Sequence, residues 1–305
     1  MDFELKKAIL ITINYFDILD YAPSHFEIWK FLYKRKENYE NVILALDELI
    51  ESKKIESKNG FYFLPGKESL VLLRQKKYDI SEKFWLKAIF AAKILNHLPF
   101  IKSIAISNTL ALFNCDKNSD IDFFIITQKN KIWITRALSS ILLHLLGLRR
   151  HRNKIAKRIC LSFYISENKM DLQYTAKPEN EFFMAFWIVG QSPIINRDKT
   201  FEKYKEANPW IKNYLPNSSS TISNYFVDFR DSFCAKIFRK ILGFLFQWSW
   251  IEKIARLVQN KKIKKTQNKI GNPLNIIYND DILKFHVNDW KRENSRDWQK
   301  LVKEL

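Results

Sequence analysis

Asp120 and Asp122 stand one residue apart in Ser-Asp-Ile-Asp (Ser119 to Asp122), at the head of the apolar run Phe-Phe-Ile-Ile. Alternate side chains of a strand share a face, so this spacing sets two carboxylates side by side. Asp before a strand can be a plain turn former. Asp122, however, lies one residue inside the apolar run, where an unpaired carboxylate is costly. A divalent cation is a natural partner. Carboxylate oxygens suit Mg²⁺ or Mn²⁺, and Mg²⁺ keeps waters and takes phosphate oxygens as further ligands. Just upstream, the apolar stretch ending at Ile106 runs into a tight turn at Asn108-Thr109. The backbone N–H groups of that turn, beside the two carboxylates, outline a site for a divalent cation and a triphosphate.

Positioning these groups takes a strand up to Ile106, a short polar excursion, and a second strand from Asp120 into Ile126. An apolar helix, Trp133 to Leu146, is closed by Gly147, and a third strand is expected over Ile159–Ile165. This arrangement resembles the nucleotidyltransferase superfamily, the fold of polymerase beta and of small antitoxin-type nucleotidyltransferases. Its members carry Gly-Ser, a short excursion, then Asp-x-Asp at the head of a strand. Here Asn108-Thr109 stands in the place of Gly-Ser, Leu110 to Ser119 form the excursion, and Asp120-Ile121-Asp122 follow. The resemblance spans roughly residues 100 to 175.

The resemblance implies transfer of a nucleoside monophosphate from an NTP to an acceptor hydroxyl. Asp120 and Asp122 would hold Mg²⁺ (or Mn²⁺), and Asn108, Thr109 and Ser119 would line the nucleotide. Asn is the side-chain-bearing residue that best replaces Gly where φ is positive, and Phe113 stands about where a later Gly of the turn is expected. The third carboxylate of such sites lies on a later strand. Ile159–Ile165 holds neither Asp nor Glu; Glu167 and Asp171 follow it. Asp171 serves as that ligand only in a later register, and otherwise reads as a solvated turn residue.

The chain has 305 residues, 47% of them hydrophobic, enough for a buried core and for more than one domain. Lys+Arg number 51 against 33 Asp+Glu, a net charge of +18. Such a surface attracts polyanions, although abundant Lys, Ile, Asn and Phe with few Gly also mark an AT-rich coding bias. Cys115, Cys160 and Cys234 are scattered without metal-ligand spacing and read as free thiols of a reducing, cytoplasmic compartment. The start, Met1-Asp2-Phe3-Glu4, has no signal-peptide character. The apolar run Ile241 to Trp250 is too short to span a bilayer, which takes about 20 residues. It is expected as a buried helix, with a surface-lying amphipathic helix as the alternative.

The expected fold class is α+β and mostly helical. A small mixed-sheet nucleotidyltransferase core is placed between an N-terminal winged helix and a C-terminal helical region. The divisions expected are 1–66, winged-helix-like; 67–97, connecting helices; 98–178, the core; and 179–305, helical. Within the first, Ser24-His25-Phe26-Glu27 is a capping box. Val42, Leu46 and Leu49 repeat at helical spacing, and Asn59-Gly60 marks a hairpin. A DNA-reading winged helix inserts its third helix in the major groove. Here that helix has an acidic face of Glu37, Glu40, Asp47, Glu48 and Glu51 that repels phosphate, so a structural or protein-contact role is expected and DNA is not the expected partner.

Residues 149–158 hold Arg149, Arg150, His151, Arg152, Lys154, Lys157 and Arg158. They read either as a phosphate or RNA-acceptor grip, which Arg suits, or as a solvated loop. Residues Tyr225 to Gln259 are expected as a long amphipathic region and Asn260 to Lys269 as an exposed basic arm. Asp280, Asp281, His286 and Asp289 match no ligand spacing. The expected partners are a nucleotide and an RNA or protein acceptor. Two alternatives remain at this point: a non-catalytic descendant of the fold acting as an interaction or regulatory module, and a winged-helix DNA-binding regulator.

Overall fold

The computed structural model describes residues 2–151, 154–176, 181–220, 233–270 and 276–285, together with Trp298 and Val302. Three helices open the chain: α1 (Phe3–Ile18), α2 (His25–Lys30) and α3 (Tyr39–Glu51). Ser24 caps α2 by accepting from the Glu27 N–H, while the Glu27 carboxylate accepts from the Ser24 N–H. Val42, Leu46 and Leu49 pack against Leu5, Ile9, Ile13 and Ile28. The hairpin of β1 (Glu56–Lys58) and β2 (Phe61–Phe63) turns at Asn59-Gly60, both with positive φ, as a tight two-residue turn requires. Helix, helix, helix and hairpin thus follow in the expected order. The acidic residues Glu40, Asp47 and Glu51 of α3 are exposed.

Next comes one long helix, α4 (Ser69–Leu95), in place of the connecting helices expected over 67–97. It is bound to the first unit by a buried ion pair. Arg74 donates to both oxygens of Glu27, at 2.9 and 3.2 Å, and lies over the rings of Tyr21 and Phe61. The Tyr21 hydroxyl donates to the same carboxylate. Burial alone would raise the Glu27 carboxyl; the Arg74 charge holds it below its ordinary range.

A mixed six-stranded sheet forms the centre, in the order β6-β3-β4-β5-β8-β7. Its strands are β3 (Ile101–Ile106), β4 (Ile121–Thr127), β5 (Ile159–Ser166), β6 (Ser192–Asn196), β7 (Ile276–Tyr278) and β8 (Ile282–Phe285). Only β4 and β5 pair in parallel, joined through α6 (Ile132–Leu145). Between β3 and β4 lies a one-turn helix, α5 (Asn108–Ala111). After β5 come α7 (Glu181–Gly190), α8 (Thr200–Glu206), α9 (Phe233–Phe246) and α10 (Ser249–Ile270). Strand β4, at the centre of the sheet, is covered on both faces. Ile121, Phe123 and Ile125 of β4 enter a core shared with α4, α6 and Ile263 of α10. Phe124 and Ile126 enter a second core with Tyr15 of α1, Trp187 of α7 and Tyr204 of α8. A strand covered on both faces reads as an unbroken apolar run, which is why 123–126 is Phe-Phe-Ile-Ile. The fold is therefore α+β and mostly helical, as expected.

Three expectations need correction. The region after residue 178, expected as helical, also supplies β6, β7 and β8 to the central sheet; these strands are too short for their alternation to show. The tract 260–269, expected as an exposed segment or basic arm, is largely exposed but continues α10 as helix. The run Ile241 to Trp250, expected as buried, is largely exposed; among the described residues of α9, Ala235 is buried and Leu242 packs against the core. The amphipathic region expected from Tyr225 to Gln259 is broken at Gln247-Trp248, and its part at 225–232 lies outside the described residues, as do Arg152, His286 and Asp289.

Helix α10 docks on α6 through polar contacts. The Glu252 carboxylate accepts from the Trp133 and Ile134 N–H groups at 2.8 and 2.9 Å, which have no partner within the helix. Burial raises the Glu252 carboxyl, and those two hydrogen bonds oppose the rise. Gln259 donates to the Trp133 carbonyl. Among the described residues no helix is long and apolar enough to cross a membrane.

Candidate metal centre

Four chain segments meet at one corner of the sheet. Strand β3 ends there and β4 begins antiparallel to it, with Ile106 opposite Phe123. Strand β5 begins alongside β4 in parallel, so that Cys160 lies opposite Asp122. The fourth segment, 148–150, pairs with the start of β5: the Ile159 N–H donates to the Leu148 carbonyl, and the Arg150 N–H to the Ile159 carbonyl. Asp120 stands just before β4 and Asp122 is its second residue.

The carboxylates of Asp120 and Asp122 and the Cys160 Sγ offer ligand atoms that all lie within 4.8 Å of one another. Each carboxylate has a partner. Asn108 donates from Nδ2 to Asp122 Oδ2 at 2.7 Å, and Arg150 donates to Asp120 Oδ2 at 2.6 Å. Asn108 reaches Asp122 because its backbone is left-handed, φ +57°, the conformation that Asn tolerates best among residues with a side chain. The Ser107 N–H donates to the Asp122 carbonyl at 3.1 Å and locks the turn onto β4.

Burial, and then the charge of Asp120, push the Asp122 carboxyl up to about 6; the Asn108 hydrogen bond and Arg150 work against the rise. Burial, with the charges of Asp122 and Asp120 behind it, raises the Cys160 thiol well above its ordinary value. Cys160 is thus a protonated thiol, a poor ligand for a hard cation. The donor set that fits Mg²⁺ or Mn²⁺ is the carboxylate pair, with water and phosphate oxygens filling the remaining positions as these ions permit. The surroundings are basic. Lys87 of α4 is held below its ordinary value by burial and by the charges of Arg158 and Lys157.

Of the five residues singled out in the sequence, Asp120, Asp122 and Asn108 come together. Thr109 and Ser119 turn elsewhere. The Thr109 hydroxyl lies 3.6 Å from Cys115 Sγ, and the Ser119 hydroxyl closes a local turn on Asp116 at 3.2 Å. Neither carboxylate that follows β5 completes the cluster. Glu167 follows the far end of β5, where it accepts from the Lys129 N–H, and Asp171 accepts from the Gln173 N–H as a turn residue. Opposite Asp122 on the neighbouring strand stands Cys160.

Sequence reasoning missed two contacts of this corner. Cys160 was legible only from the register of two parallel strands. Arg150 stood in a run of seven basic residues, and nothing local marked it as the partner of Asp120. A cavity of about 390 Å³, lined by Tyr21, Glu27, Lys30, Arg74, Phe113 and Gln191 among others, does not include the aspartates. Compared with protein families, curated proteins and solved structures, the chain finds no match.

Proposed function

We propose that this chain is a nucleotidyltransferase-type enzyme that moves a nucleoside monophosphate from an NTP to an acceptor hydroxyl. The observation that carries the reading is the convergence of Asp120 and Asp122, at the head of a central strand, with Asn108 on the left-handed turn that ends the preceding strand. Asp120 and Asp122 would hold Mg²⁺ or Mn²⁺. Held there, the cation would supply positive charge against the negative charge that develops on a leaving phosphate group. Asn108, folded onto Asp122, orients that carboxylate. Arg150 pairs with Asp120; on this reading a cation would take its place there and free the guanidinium for phosphate, a ligand it suits. The basic residues Lys87, Lys157 and Arg158 raise the local concentration of polyphosphate and of an RNA or protein acceptor with acidic character.

A second reading is favoured by a specific observation. Arg150 on Asp120 and Asn108 on Asp122 give each carboxylate a partner without a cation, a thiol lies opposite Asp122, and among the described residues no third carboxylate joins the cluster. On that reading the fold persists as a non-catalytic interaction or regulatory module. The acidic outer face of α3 weighs against a third, DNA-binding reading of the first three helices.

The deciding experiment is NTP binding by calorimetry with and without Mg²⁺, on the wild-type chain and on Asp120→Asn/Asp122→Asn. Mg²⁺-dependent binding lost in the double variant supports the enzymatic reading. Absence of binding in both refutes it and leaves the non-catalytic one.

A further inference from the structure

Independently of the nucleotide reading, α9 and the first half of α10 carry an apolar stripe on their outward side. On α9, Phe233, Ile237, Ile241 and Phe244 succeed one another at i, i+4, i+8 and i+11, with Phe238 and Leu245 beside them, and all six are exposed; Phe233 is 76% and Phe244 68% accessible. The opposite side, Ala235 and Leu242, faces the protein. On α10 the stripe continues through Trp250, Ile254, Leu257 and Val258, again all exposed, with Trp248 at the junction. A folded chain rarely exposes so many large apolar groups in sequence unless something covers them.

The charges that the two helices themselves carry are nearly all of one sign, with Arg256, away from the stripe, paired to Asp280. From Phe233 to Asn268 the chain holds nine Lys and Arg and a single acid, Glu252. Glu252 is turned inward onto the start of α6. Lys236 and Lys240 border the α9 stripe by their helical positions. On α10 the same outward side passes from Leu257 and Val258 into Lys261, Lys264 and Lys265, all exposed.

These features select among occupants. A second copy laid face to face would bring two basic rims together, and like charges across an interface are strongly unfavourable. An anionic bilayer matches both parts of the surface: acyl chains accept Phe, Ile and Leu, headgroup phosphates accept the lysines, and Trp is at home at headgroup depth. Lysine stems can lie along the apolar boundary while the ammonium stays with the headgroups.

We infer that α9 and α10 form a peripheral docking surface for anionic lipid bilayers, lying in the interface without crossing it. The test is co-sedimentation of the full chain with vesicles of phosphatidylcholine alone and of phosphatidylcholine with about 30% phosphatidylglycerol, the anionic component supplying the surface charge. The wild-type chain should partition onto the anionic vesicles and release with rising salt. Phe244→Asp/Leu257→Asp should lose about tenfold or more in partition, because both side chains leave hydrocarbon. Lys261→Gln/Lys264→Gln/Lys265→Gln, which leaves the apolar stripe whole, should lose the preference for anionic over neutral vesicles. All of these positions are exposed, so an unchanged circular dichroism spectrum is expected and separates loss of binding from loss of fold. Equal partition of wild type and the double aspartate variant, or no partition at all, overturns the inference. So does a lipid-free dimer, seen by analytical ultracentrifugation, that Phe244→Asp/Leu257→Asp dissolves; the face would then belong to a second copy.

Discussion

Replacing Asp122 with Asn should stabilise the fold while abolishing cation-dependent nucleotide binding. Burial and the neighbouring Asp120 raise the Asp122 carboxyl from 3.8 to about 6. The folded chain therefore holds this proton more tightly than the unfolded one. Stability is lost as pH rises between those two values and stays at its reduced level above the higher one. A shift of about 2 units corresponds to about 3 kcal/mol at about pH 7.5, and integration over the same titration leaves about 1 kcal/mol at about pH 4.5. Asn is nearly isosteric and keeps an oxygen to accept from Asn108, so the substitution removes the charge and little else. The assay is urea unfolding in cation-free buffer at both pH values. A gain that is large near neutrality and shrinks in acid supports the argument. Destabilisation at about pH 7.5, or an equal gain at both values, refutes it, and with it the picture of a carboxylate held ionised against its surroundings until a cation arrives.

Arg150→Met should raise Mn²⁺ affinity of the nucleotide-free chain about two- to fivefold, since the cation no longer competes with a partly exposed ion pair worth about 0.5–1 kcal/mol; calorimetry showing equal or weaker binding would contradict this. Glu252→Ala should cost about 1–2 kcal/mol in urea unfolding by leaving the first N–H groups of α6 unanswered, whereas Glu252→Gln, which keeps an oxygen acceptor, should cost less; equal losses would show that the cap contributes nothing. Arg74→Met should cost about 3–5 kcal/mol by stranding the buried Glu27 charge, and adding Glu27→Gln should recover part of it; an additive double loss would deny the coupling.

Legibility followed the range of the signal. The capping box at Ser24-Glu27 and the Asn59-Gly60 turn are local hydrogen-bonding and φ requirements, so a few residues specify them, and both are in place. The strand bearing Asp120 and Asp122 was legible because double-sided burial leaves an unbroken apolar run. Strands β7 and β8 were not: three and four residues carry too few alternations to define a period. The environment of α9 was misjudged because an amphipathic pattern shows that two sides differ, and says nothing of how much of the apolar arc the rest of the fold covers. At the corner itself, the sequence could place the two aspartates and the Asn108 turn, whereas the pairing of Cys160 with Asp122 depends on parallel strands joined through α6, a long-range fact.

The placement of β8 bears on how the chain is made. Strand β5 finds its outer neighbour only when Ile165 meets Ile282, near the far end of the sequence. Until that segment has left the ribosome, the edge of β5 offers unpaired N–H and C=O groups to any passing strand. At about 5–20 residues per second, this open edge persists for on the order of ten seconds in every nascent chain, a window in which a chaperone has something to protect and a crowded polysome has something to lose.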